Sequence, residues 1–151
     1  MSLHFRYGLK AFNRPVLTLG GRFSRPQSLI PVTLVGPATS RLVEGLLDTG
    51  ADDTVFPDYL ATHIGLDLST APTGVAGGIL GPPILLRLSE VTLRVAGNGE
   101  LREWRAWVGF TSAPIRHPYL GFAGFLQYFT ATFHGDREEV ELTVNSLYPG
   151  T

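Results

Sequence analysis

The 151-residue chain contains no cysteine and no long apolar run, and each absence removes a class of protein. Without cysteine there is no disulfide framework, no thiolate-ligated metal and no thiol nucleophile. The longest uncharged apolar run, residues 74–86, ends at Arg87, well short of the roughly 20 residues of a membrane-spanning helix. Residues 1–10 carry neither the apolar stretch nor the cleavage site of a secretory signal. We therefore expect a cytoplasmic protein without a membrane span.

Sequence motifs for nucleotides and for zinc are also missing. The sequence has no glycine-lysine-serine phosphate loop and no histidine-glutamate zinc helix. The four histidines do not have the spacing of metal ligands: His4, His63, His117 and His134. We expect no metal ion and no other cofactor.

Positive charge is concentrated at the start of the chain. Residues 1–26 contain five cations and no acid, whereas the rest contains seven cations and thirteen acids, a net charge of −6. These five cations alternate with apolar residues, which favours a segment that packs on the acidic body or on a partner subunit over one that binds nucleic acid. We expect residues 1–27 to form a basic N-terminal arm, residues 28–145 the main domain and residues 146–151 a tail.

Glycine and proline divide the remaining sequence into short segments that favour strands over helices. The chain has 18 glycines and 11 prolines, so long helices are excluded. Segments rich in β-branched, leucine and aromatic residues predict strands at residues 30–35, 41–47, 84–95, 101–110, 130–133 and 140–144. Hairpin turns are predicted at Gly97-Asn98-Gly99 and Gly135-Asp136, and short helices at residues 57–64 and 122–129. The predicted fold class is mostly β, with a closed or partly closed β-barrel.

The two tryptophans test this strand prediction. Trp104 and Trp107 are three residues apart on one predicted strand, so their side chains point to opposite faces. We expect one of them in the core and the other at the surface or at an interface.

The segment most informative about chemistry is Leu-Leu-Asp-Thr-Gly-Ala-Asp-Asp-Thr-Val-Phe, residues 46–56. It places Asp48 where an apolar strand leaves the core, so that the carboxylate is partly desolvated. The hydroxyl and the glycine amide that follow are suitable hydrogen-bond donors to this carboxylate. An Asp-Thr-Gly tripeptide alone is also compatible with an ordinary turn between strands.

The longer segment resembles, almost letter for letter, the active-site strand and loop of retropepsins, the retroviral aspartic proteases that include the HIV type. Two other features follow in the order of that family. The glycine-rich residues 73–81 correspond to a hairpin flap, and Tyr119-Leu120-Gly121 corresponds to a second motif of two apolar residues and a glycine. The resemblance covers about residues 28–145. It implies an acid-protease barrel with a β-hairpin flap and a short C-terminal helix.

The same resemblance implies an aspartic endopeptidase in which Asp48 is catalytic and is supported by Thr49 and Gly50. Because Asp-Thr-Gly occurs once, two copies of the chain must each supply one Asp48, which predicts a homodimer. The substrate is expected to be a peptide or an unfolded protein, held as an added strand. The implied substrate-binding residues are Gly50, Ala51, Asp52, Asp53, Val75, Ala76, Gly77, Gly78, Ile79 and Leu80.

One departure from the family concerns the residues after the second motif. Many members have arginine followed by Asn or Asp there, and this chain has Phe122 and Ala123. The missing arginine usually pairs with the acid corresponding to Asp52, so we expect Arg22 or Arg25, from either subunit, to take its place. The departure also leaves an alternative function open, a catalytically silent barrel of the same ancestry that binds peptides or partner proteins.

Overall fold

The computed structural model describes residues 2–78 and 81–151. Most of these residues lie in strands, which confirms that the chain is mostly β. The elements in chain order are β1 (Ser2–Arg6), β2 (Gly8–Val16), β3 (Arg22–Gln27), β4 (Leu29–Val35), β5 (Ser40–Leu47), β6 (Val55–Pro57), α1 (Asp58–Ile64), β7 (Thr73–Gly78), β8 (Gly81–Gly97), β9 (Glu100–Thr111), β10 (Tyr119–Leu120), β11 (Phe129–His134) and β12 (Glu139–Val144). Single 3-10 turns occur at Leu17–Leu19 and Leu126–Tyr128.

The main sheet has seven strands in the order β4-β5-β10-β6-β9-β8-β7. β4 also pairs with β8, so the hydrogen-bonded neighbours form a closed ring from which β7 extends. β8 and β9 form a long antiparallel hairpin around Asn98 and Gly99, both of which have positive φ values, as predicted from the turn sequence. This mixed sheet carries the strands on both sides of Asp48.

The core includes the inward-facing residues of this sheet and follows the two-residue period of the strands. On β9 the even-numbered residues from Trp104 to Phe110 are buried, whereas Arg105 and Trp107 are exposed. The indole N–H of Trp104 donates a 3.0 Å hydrogen bond to the Gly124 carbonyl, and its ring contacts four other aromatic rings. Trp104 is 2% exposed and Trp107 is 56% exposed, which confirms the prediction of one core and one surface tryptophan.

A second sheet of three strands, in the order β1-β12-β11, includes the start of the chain. Leu3 and Phe5 of β1 are buried and belong to the same core cluster as Trp104. The first residues of the predicted basic arm are therefore part of the folded body. The predicted hairpin at residues 135–136 is present, since β11 pairs with β12 in antiparallel register.

One helix is present as predicted and the other is not. α1 begins after Pro57 and ends at Gly65, which has a φ of 85°. The predicted short C-terminal helix at residues 122–129 is wrong, because this segment makes only the 3-10 turn. Gly124 has a φ of 90° and the Ala123 carbonyl accepts bonds from Thr54, so neither residue can continue a helical ladder.

In the part of the chain that the structure describes, no helix is both long and apolar enough to cross a lipid bilayer.

Replacing each tryptophan by phenylalanine tests how the core is organised. Trp104→Phe removes a buried hydrogen bond and leaves a void, so we expect the free energy of unfolding to fall by about 2–4 kcal/mol. Trp107→Phe is the matched control, with an expected change of about 0.5 kcal/mol or less because its side chain is mostly exposed. Denaturant titration measures both variants. Equal losses for the two would contradict the assignment of Trp104 to the core.

Candidate active site

Asp48 follows the last residue of β5, at the point where the chain leaves the core. Leu47 is buried, Asp48 is half-buried, and Thr49 and Gly50 are exposed. The Gly50 amide donates a 2.9 Å hydrogen bond to Asp48 Oδ1, and the Ala51 amide donates one of 3.2 Å to the Asp48 carbonyl. These bonds form a tight turn that holds a solvent-accessible carboxylate at the end of β5.

The second predicted motif, β10, lies directly beside this turn. Tyr119 and Leu120 pair in parallel with the last two residues of β5, and Tyr119 also pairs with Val55 of β6. The amide of Asp48 donates a 3.1 Å hydrogen bond to the carbonyl of Leu120, which is fully buried. The two motifs, distant in the sequence, are thus adjacent in the fold, and β10 fixes the backbone of Asp48.

Gly121 is required by the close packing of β10 against the loop that follows Asp48. A Cβ at this position would lie 2.7 Å from the carbonyl oxygen of Ala51 and closer still to that of Asp53. The next amide, that of Phe122, donates a 2.9 Å hydrogen bond to the same Ala51 carbonyl. Only glycine allows the two segments to approach this closely.

Thr54 supports the same loop and was not selected from the sequence. It is fully buried, and its amide and hydroxyl both donate to the Ala123 carbonyl, at 3.1 and 2.9 Å. A threonine between acids and an apolar run gives no signal of this role in the sequence. Its hydroxyl ties the acidic loop to the segment that follows the second motif.

A cavity of about 470 Å³ opens beside Asp48 and is bounded by the flap hairpin of β7 and β8. Its volume lies within the range of small-molecule and peptide side-chain pockets. Nine of its lining residues are candidate site residues of the sequence analysis: Asp48, Gly50, Ala51, Asp52, Asp53, Val75, Ala76, Gly77 and Tyr119. Three are not: Val55, Ile84 and Ile115.

The remaining selected residues do not line this cavity. Thr49 is exposed on the turn, while Leu120 and Gly121 are buried behind it. Gly78 pairs with Gly81 near the end of the flap, and the predicted flap residues Ile79 and Leu80 lie outside the described residues. In the described residues β7 pairs with β8 in antiparallel register, in agreement with the hairpin predicted for this segment.

The cavity is lined by acidic and apolar residues. The described residues that line it include three acids, Asp48, Asp52 and Asp53, and no cation. The expected pairing of Asp52 with Arg22 is not found within the chain, because the Arg22 guanidinium binds the Glu138 carboxylate instead. Arg25 lies over the Phe12 ring, 5.8 Å from its centroid. An arginine from a second copy therefore stays a prediction.

Metal ligation has no support in the described ranges 2–78 and 81–151. No group of three or more histidine, aspartate or glutamate side chains is placed there to hold an ion.

Gly121→Ala tests the close packing between the two motifs. The new methyl would collide with backbone oxygens that cannot move freely, so we expect a loss of about 1–3 kcal/mol in unfolding free energy. Gly135→Ala is the control, because a Cβ there meets no atom within 4 Å, and it should change stability by about 0.5 kcal/mol or less. Denaturant titration compares the two. Equal stability of both variants would contradict the packing described.

No protein-family model matches the chain, and no match is found among curated proteins. Its function therefore has to be inferred from its own residues and their geometry.

Proposed function

We propose that the chain is a retropepsin-like aspartic endopeptidase that acts as a homodimer. The observation that carries the proposal is the position of Asp48, which is held by the Gly50 amide at the edge of a cavity bounded by a flap hairpin. The second motif of the resemblance, Tyr119-Leu120-Gly121, packs against the Asp48 turn. The closed ring of strand pairing also agrees with an acid-protease barrel, although the C-terminal helix of that fold type is replaced by a 3-10 turn.

A second copy is needed because peptide hydrolysis by this route requires two carboxylates in opposite protonation states. One takes a proton from water while the other donates a proton to the scissile carbonyl oxygen. Asp-Thr-Gly occurs once in the sequence, so the matching carboxylate is the partner's Asp48, placed by a two-fold axis. Two such carboxylates in contact share one proton, because both cannot be ionised at this distance.

The reaction then needs only water and the two Asp48 carboxyl groups. The ionised carboxylate removes a proton as the water oxygen bonds to the carbonyl carbon, and the protonated carboxyl gives its proton to the carbonyl oxygen, which yields a tetrahedral diol. The C–N bond of the diol breaks as the leaving nitrogen takes a proton from the dyad, and a diol hydroxyl returns a proton to the dyad as the carbonyl of the new acid re-forms. The 2.9 Å hydrogen bond from the Gly50 amide holds the Asp48 side chain in position at the cavity.

The substrate lies as an extended strand between the acidic loop and the flap. Backbone groups of Gly50 and of the flap residues Ala76 and Gly77 are placed at this cavity and can bond the peptide backbone. Apolar side chains of Val55, Ile84 and Ile115 line the same space and favour apolar substrate side chains. We assign Thr49, exposed beside Asp48, to the contact between the two active-site turns.

Asp48→Asn tests this proposal directly. The amide can neither take a proton from water nor return it, so cleavage of a denatured protein substrate should fall by a factor of at least about 10³. Asp136→Asn is the matched control, since it changes the same groups on an exposed turn between β11 and β12, and it should cleave at the wild-type rate.

The assay covers acidic to neutral pH at several protein concentrations. Equal cleavage by wild type and Asp48→Asn would contradict the proposal. Absence of cleavage by the wild type at every condition, together with saturable binding of the peptide, would favour the silent peptide-binding alternative.

A further inference from the structure

The β2–β3 hairpin, residues 8–27, stands apart from the rest of the fold. Within the described residues its two strands pair with each other and with no third strand. A two-stranded hairpin is marginally stable alone in water, so it needs contacts from elsewhere. Its own body supplies one ion pair, in which a hydrogen bond from Arg22 lowers the pKa of the Glu138 carboxyl. At its base Gly8 lies against Leu29, and Leu9 and Lys10 line a cavity together with Glu44 of the same copy.

Much of the hairpin surface is apolar and uncovered. Leu17 is 85% exposed, Leu9 is 62% exposed and Phe23 is 57% exposed. Two cations, Lys10 and Arg25, lie over the ring of Phe12 at 5.6 and 5.8 Å. Apolar side chains grouped on one exposed element are typical of a surface that binds another macromolecule.

Charge indicates which macromolecule fits this surface. The hairpin carries Lys10, Arg14, Arg22 and Arg25 and no acid, and only Arg22 has an acidic partner within 4.0 Å in the described structure. Outside the hairpin the chain is acidic. Of the acids for which the described residues provide no cation within 4.0 Å, most are grouped between positions 44 and 58: Glu44, Asp48, Asp52, Asp53 and Asp58. A second copy of the chain therefore offers a complementary surface.

The base of the hairpin lies close to the Asp48 turn. Ser28, the residue between β3 and β4, accepts a 3.0 Å hydrogen bond from the Leu47 amide and donates one of 3.1 Å to the Leu47 carbonyl. Leu47 directly precedes Asp48. If two Asp48 turns meet at a two-fold axis, the base of each hairpin therefore lies close to that axis.

We propose that the β2–β3 hairpin of each copy docks on the acidic surface around residues 44–58 of a second copy. Arg14 and Arg25 supply the charge complementarity, and Leu17 and Phe23 supply apolar contact area. The position of the two-fold axis rests on the proposed function. The docking of the hairpin on a second copy does not require that the dimer be a protease. The hairpin thus acts as a dimer clasp that also neutralises the acids left without cations near the cavity, Asp52 among them.

The test measures dimerisation by sedimentation equilibrium on the full chain. Arg14→Glu with Arg25→Glu should raise the dimer Kd by at least about 50-fold, because like charges then face each other twice in every dimer. Arg87→Glu with Arg105→Glu is the matched control on the outer surface of β8 and β9, and it should leave the Kd within about 3-fold of the wild-type value. Thermal unfolding checks that each variant is folded.

A second pair of substitutions separates charge pairing from a merely structural effect. Glu44→Arg with Asp52→Arg should weaken the dimer in the same way, since arginines then face the hairpin cations. When this variant is mixed with the Arg14→Glu, Arg25→Glu variant, both docking contacts of a mixed pair carry opposite charges. We therefore expect the mixture to form heterodimers with a Kd near that of the wild type.

Three results would overturn the proposal. The first is a wild type that stays monomeric at all concentrations, which would also remove the proposed homodimeric protease. The second is a dimer whose Kd is unchanged by the hairpin variant, or variants that fail to form heterodimers. The third is a hairpin variant that dimerises like the wild type but no longer binds phosphatidylserine vesicles that the wild type binds, which would make the hairpin a lipid contact.

The experiment measures dimerisation and not cleavage. A dimer without protease activity would therefore remove only the proposed function and would leave the proposed clasp in place.

Discussion

The candidate site depends on the insertion of one two-residue strand, β10, between β5 and β6. Its Leu120 carbonyl accepts the amide of Asp48, and the neighbouring Gly121 allows the backbone to pass within contact distance of the acidic loop. Without this strand the Asp48 turn would sit at an open sheet edge, where nothing fixes its backbone. A buried segment of the fold thus serves to position a single carboxylate.

The second constraint is electrostatic. The cavity beside Asp48 contains further acids at Asp52 and Asp53, and the described residues that line it include no cation. Acids grouped in this way repel one another and are costly to cover with apolar surface. In the proposed dimer, arginines of the partner reduce the repulsion among these acids. The partner's Asp48 supplies the second carboxyl group that catalysis needs. Dimerisation, charge balance and catalysis are therefore parts of one proposal.

Local signals in the sequence were sufficient for much of the fold. Asn98 and Gly99 adopt the positive φ values that the turn needs, and Pro57 and Gly65 bound α1 as their conformational preferences indicate. The helix predicted at residues 122–129 failed because a distant contact prevailed. The Ala123 carbonyl bonds Thr54, 69 residues earlier in the chain, and no local pattern contains that information.

The site shows the same division between local and distant information. Asp48 and its glycine amide were predictable, because the turn that joins them spans three residues. Ile84 and Ile115 were not, because their place at the cavity depends on hairpin register and on the path of the chain after β9. The sequence predicts a basic arm over residues 1–27, but that residues 8–27 form a hairpin outside the other two sheets becomes clear only in three dimensions.

Subunit mixing tests most directly the claim that two copies of Asp48 form one site. Wild type and Asp48→Asn are equilibrated at a fixed total concentration at which sedimentation finds both dimeric, and the cleavage rate is followed as their ratio changes. If one active site needs both carboxylates, the rate falls as the square of the wild-type fraction, to about one quarter in an equal mixture. A linear fall, to about one half in that mixture, would mean that each chain works alone and would contradict the account.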